Sequence, residues 1–179
     1  MKIFTRKSAF FLASFVLFGL IFSGCSSNDE AKNVREYNNK IVALQQEMLE
    51  NGAQGAGTID GRTLDLQNAL SEFQKIQMGV QQDYDKFKAL TVPKGGEELG
   101  ASMKRFFEVE SNGIQNIIAV LNSLQGKGDD PKALDELAKA LDTYSRNEND
   151  ALANFDQVQK ATAAKYKETV ETTQKNSLS

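Results

Sequence analysis

Apolar residues recur along this chain at steps of three and four, the spacing that lays one stripe along an α-helix. Val34, Tyr37, Ile41, Leu44 and Met48 alternate those steps without a break and predict a first helix of about twenty residues, ending at Asn51-Gly52. A second stripe, Leu66, Leu70, Phe73, Val80, Tyr84 and Phe87, stops before Pro93, whose ring disfavours helical geometry in the residue ahead of it. Gln77 stands at the one place where that stripe expects an apolar side chain. The third runs through Leu99, Met103, Phe106, Ile114, Ile117, Leu121 and Leu124, with a four-four step around Glu110 that shifts the local winding; Gly126 and Gly128 close it. The fourth has the clearest start, Asp130 as N-cap and Pro131 at the first helical position. Leu134, Leu137, Leu141, Tyr144, Leu152, Phe155, Thr162, Tyr166 and Val170 then continue the pattern for some forty residues. A helix of that length either overhangs its partners or bends near Arg146 to Asp150, and it frays after about Thr172.

Four amphipathic helices joined by short Gly/Pro loops bury their stripes most economically as an all-α, antiparallel up-down four-helix bundle. The bundle is expected over residues 31–173, with 174–179 as a frayed tail; strands are almost unsupported. Two helical hairpins flank Pro93 without residue-level identity between them. Gln77, Glu110 and Glu148 each occupy a stripe position near the middle of a helix. Midpoints meet in such a bundle, so these three suggest a buried polar layer, with Arg146 as counter-charge, that fixes register or lines a site for a small ligand or cation. The simpler reading, and the favoured one, is that each side chain snorkels to the bundle edge.

Composition removes whole classes of chemistry. The 179 residues include 21 basic and 24 acidic side chains, one Cys, no His and no Trp. Without imidazole there is no Ser-His-Asp or Cys-His catalysis, no His-ligated zinc or haem and no Glu-x-x-His di-iron site. A lone Cys forms no internal disulfide, so the core alone must hold the fold. Gly52, Gly55, Gly57 and Gly61 follow a helix and lack the Lys-Ser/Thr pair of a phosphate loop, which leaves an interhelical loop as the reading. Asp129-Asp130 and Asn147 to Asp150 lack the spacing of a calcium loop. Met48, Met78 and Met103 fit core filling better than a soft-metal site. No cofactor and no catalytic residue is expected.

The amino terminus reads as a targeting segment. Lys2, Arg6 and Lys7 precede an apolar run from Ala9 to Phe22, shorter than the ~20 residues a membrane-spanning helix needs. Phe22-Ser23-Gly24-Cys25 then resembles the bacterial lipobox, with Phe22 where Leu or another aliphatic residue is usual. The resemblance implies removal of residues 1–24 and acylation of Cys25 on its sulfur and its new amino group. Residues 25–30 become a short tether. Two or more acyl chains, at about 0.8 kcal/mol per buried methylene, anchor stably where one binds only reversibly. Ser26, rather than Asp, follows the Cys, which in the sorting rule of enteric bacteria implies the outer membrane. Losing Lys2, Arg6 and Lys7 leaves 18 basic against 24 acidic residues, a net of −6, and Lys104-Arg105 is the only adjacent basic pair remaining, so nucleic acid is not an expected partner.

Tyr37-Asn38 and Ile41-Val42, the Pro93 turn, and Phe155, Gln159, Ala163, Lys165 and Tyr166 together resemble a group of uncharacterised helical surface lipoproteins of spirochaetes and Bacteroidetes. The likeness covers most of the mature chain and implies fold and location, with no catalytic residues. Three functions then remain open. The leading one is a non-enzymatic envelope lipoprotein that binds the membrane through its anchor and presents a helical surface to an envelope or host protein. A small-ligand or metal carrier using the polar layer comes second. A carboxylate-based hydrolase comes last, because short-looped helices offer no evident cleft for two carboxyls at a useful separation.

Overall fold

The computed structural model describes residues 29–56, 66–125 and 131–177. They form four helices, α1 (Asp29–Ala56), α2 (Leu66–Lys88), α3 (Glu97–Leu124) and α4 (Pro131–Ser177), with no strand among the described residues. The protein is therefore an all-α four-helix bundle, as the periodicity predicts. In sequence order each helix packs on the next.

Contacts fix how the helices run. Tyr84 and Phe87 of α2 lie on Phe107 of α3, whereas Ala69, at the other end of α2, shares a cluster with Ile117 and Leu121. Tyr144 of α4 meets Glu110, and Tyr166 approaches Gly95 just ahead of α3. Glu30 of α1 bonds Tyr166 and Asn38 bonds Gln159. In each pair the residue numbers run in opposite directions.

α3 is the central element because its stripe is apolar on a broad face: Leu99, Met103, Phe106, Phe107, Ile114, Ile117, Leu121 and Leu124 are all buried. Rings at the α2–α3 contact have centroids 5.3 Å apart for Tyr84–Phe107 and 5.5 Å for Phe87–Phe107, in the range where aromatic pairs add about 0.5–1.5 kcal/mol to simple burial. Two apolar clusters divide the core along its length, and Phe73 and Tyr144 border both.

Several elements differ from the sequence expectation. α1 continues through Asn51-Gly52 to Ala56, since a helical Gly costs only about 1 kcal/mol; Gly52 and Gly55 are thus helical, and Gly57, Gly61, Asp129 and Asp130 lie outside the described residues. On α2 the buried positions are Ala69, Val80, Asp83 and Phe87, with Phe73 and Ile76 half-buried. This stripe also steps by four and three, and it shares Phe73, Val80 and Phe87 with the one read from sequence. The helix is turned so that Asp83, not Gln77, interrupts it. Leu134 is 41% exposed, and Leu137 is buried. α4 is helical throughout residues 131–177, including Arg146 to Asp150.

The α2–α3 connection is built on Pro93 and Gly95. The Gly96 amide donates to the Pro93 carbonyl at 2.9 Å, closing a four-residue turn with Gly95 at φ +84° in its third position, where a type II turn requires a left-handed residue. Lys86 and Lys88 lie in the last turn of α2, and Glu97 and Glu98 in the first of α3, each sign favourable for its helix end.

Candidate functional site

Of the four side chains assigned to a mid-bundle layer, the structure brings two together. Glu110 is only 3% exposed on α3, and its Oε2 accepts a 2.6 Å hydrogen bond from the Tyr144 hydroxyl of α4. Glu148, one turn after Tyr144, acts on the same carboxyl electrostatically and is itself half-buried. Glu110 Oε1 is buried without a partner. Gln77 is half-buried on α2 and hydrogen-bonds neither carboxyl. Arg146 supplies no counter-charge to this layer: it is exposed, and its guanidinium bonds Asp142 at 2.7 Å along the outer face of α4. Position 146 lies two residues from both 144 and 148, so helical geometry turns it away from the face they share.

Gly113 makes room for this cluster. A Cβ there would overlap Cδ2 of Tyr144 and lie 2.9 Å from Cε2 and 3.1 Å from Cγ. The ring therefore sits directly on the α3 backbone, one turn from Glu110, which aims its hydroxyl at the carboxyl. Burial sets the electrostatics. Glu110 is pushed up to about 8, first by desolvation and then by the charge of Glu148, with the Tyr144 bond opposing. Desolvation pushes Glu148 up to about 7. Tyr144 is pushed well above its ordinary value by burial and by both carboxyls. Glu148 is the more exposed of the two, and its charge favours keeping the proton on Glu110.

Other groups stand at about the same height. Lys86 Nζ donates to Asp83 Oδ1 at 2.8 Å and to Glu47 Oε1 of α1 at 2.6 Å. These two bonds raise the Lys86 ammonium above its ordinary value. Asp83 is 1% exposed, and its Oδ2 has no partner. The polar level of the bundle thus contains Glu47, Asp83, Lys86, Glu110, Tyr144 and Glu148. Sequence reasoning missed Asp83 and Lys86 because two stripes on α2 share half their members, and nothing local chooses between them.

Two further polar contacts tie α1 to α4. The Gln159 amide donates to Asn38 Oδ1 at 2.8 Å, and both residues are buried. The Tyr166 hydroxyl donates to Glu30 Oε1 at 3.1 Å, while Lys94 lies 3.5 Å from Glu30 Oε2. Beside them the buried Tyr37 hydroxyl has no partner, and desolvation raises it.

Cys25 lies outside the described residues. Among those described, no group of three or more acidic or Cys side chains is placed to hold a metal ion, and no helix is long and apolar enough to cross a membrane. No protein-family model, curated protein or solved structure matches this chain.

Proposed function

We propose that this chain is a lipid-anchored protein of the cell envelope, held at the outer membrane, whose helical body acts by binding rather than by catalysis. One observation carries the reading: the only Cys ends a lipobox-like run, Phe22-Ser23-Gly24-Cys25, just ahead of α1 at Asp29. At ~3.3 Å per extended residue, the few residues between lipid and helix reach little more than 10 Å. The end of the bundle formed by Glu30, Lys94, Gly95 and Tyr166, past which α4 runs on to Ser177, is then the end nearest the bilayer, and the outer helical faces and the opposite end are free to meet an envelope component, another protein or a host molecule. The resemblance to helical surface lipoproteins agrees with that role.

Mass spectrometry of the mature protein should find Cys25 as the new first residue, carrying a diacylglyceryl thioether, and Cys25→Ala should move the protein from the membrane fraction to the soluble one. An unmodified Cys25, or an Ala variant that sediments as before, refutes the anchor. Crosslinking from intact cells with the lipidated protein tests the binding role.

One observation favours a second reading, a small-cation carrier: Glu110 keeps a buried oxygen without a partner. Thermal shift against a panel of metal ions and amines checks it, and a flat panel removes it.

A further inference from the structure

We propose that Glu110 and Glu148 form a proton-operated latch between α3 and α4: while the pair holds a proton the seam stays packed through the Tyr144–Glu110 bond, and when both carboxyls are ionised the seam opens to admit water. The inference is independent of the membrane anchor. It starts from placement. A carboxyl that is 3% exposed, with one oxygen on Tyr144 and the other on nothing, tolerates being neutral and has no cation to stabilise it when charged. Glu148 offers only a second carboxyl.

The charged groups of the neighbouring elements do not alter this. On α4 the groups acting on Glu110 are Tyr144 and Glu148, and Arg146 is turned outward to Asp142. On α3, Glu108 is exposed and lies 3.6 Å from Lys104. On α2 and α1, Asp83, Lys86 and Glu47 are tied to one another and exert no resolved effect on Glu110. Ionising both carboxyls therefore leaves two like charges at the seam, which the single bond from Tyr144 to Glu110 offsets only in part and which hydration relieves. The region that must loosen is also defined, because Tyr144 borders both apolar clusters, as Phe73 does from α2.

Both carboxyls are raised above their unfolded values, so the folded chain keeps protons that the unfolded chain releases. Their contribution to stability is complete below the ordinary carboxylate range and is lost as pH rises to about 8. For each carboxyl the folding equilibrium changes by at most tenfold per pH unit in that window.

The test is amide hydrogen exchange on the full chain in detergent, corrected for the intrinsic rate, across mildly acidic to mildly alkaline pH. Wild-type protection over 106–117 and 137–151 should fall by about tenfold or more relative to that around Asn38 and Gln159. Glu110→Gln keeps an oxygen for Tyr144 without an ionisable proton and should hold its protection throughout. Glu148→Gln removes the charge that raises Glu110, so its loss of protection should be smaller and should end at lower pH than in wild type, and it carries the test if the first variant does not fold. The latch is wrong if Glu110→Gln loses protection as wild type does. It is equally wrong if wild-type protection falls uniformly over the bundle, or does not fall.

Discussion

Gly113→Ala sets two familiar effects against each other inside one helix. Replacing a helical Gly by Ala ordinarily stabilises by about 1 kcal/mol. Here the new methyl would occupy the volume of the Tyr144 ring, with Cγ itself only 3.1 Å away, so relief requires the whole side chain to move. Overpacking of this kind costs about 1–3 kcal/mol. Displacing the ring also breaks the 2.6 Å bond to Glu110, leaving a buried carboxyl with no partner at all, a further loss of about 1–3 kcal/mol. Taking central values, the substitution should destabilise by about 3 kcal/mol, which for a chain of this size lowers Tm by roughly 6–12 °C. Thermal unfolding followed by circular dichroism, at slightly acidic pH where Glu110 is protonated, measures it. The decisive comparison is the same substitution in a Tyr144→Ala background, where the ring is gone and the added methyl should raise Tm by about 2–4 °C. If Gly113→Ala has the same sign in both backgrounds, the ring does not occupy the slot and the account of the cluster fails.

Five other substitutions probe the part of the bundle around Asn38 and Glu30. Tyr37→Phe removes a buried hydroxyl that has no partner and should leave stability unchanged or raise it by up to about 1–2 kcal/mol, measured by urea denaturation; a clear loss would mean the hydroxyl is bonded after all. Asn38→Leu or Gln159→Leu alone should each cost about 1–3 kcal/mol by stranding the other amide, while the double variant should recover most of that; additive losses would contradict the pairing. Gly95→Ala should lower stability by at least about 1–2 kcal/mol, because φ is +84° and the added Cβ would overlap the Tyr166 hydroxyl. Tyr166→Phe should rescue only the overlap, and full rescue would show that the backbone is unstrained.

The spacing of apolar residues determined four helices and their all-α association by itself, because a 3.6-residue period is a local property that each segment carries alone. α3 shows this most clearly: every residue of its predicted stripe is buried, and so is Glu110, at the place where the steps change. The Pro93 break was legible for the same reason, since a proline ring acts on its nearest neighbours. What required the folded molecule was the rotation of each helix about its axis. Asp83 and Gln77 sit on adjacent stripes of α2 that are nearly equivalent in sequence, and only the packed bundle shows that Asp83 is the one turned inward. The partner of Glu110 was equally hidden. Arg146 is the nearer cation in sequence to Glu148, yet two residues along a helix is the opposite side, and a phenol across the seam takes the bond instead. Burial, absent from any linear pattern, raises Glu110 and, to a lesser degree, the half-buried Glu148 above the ordinary carboxylate range.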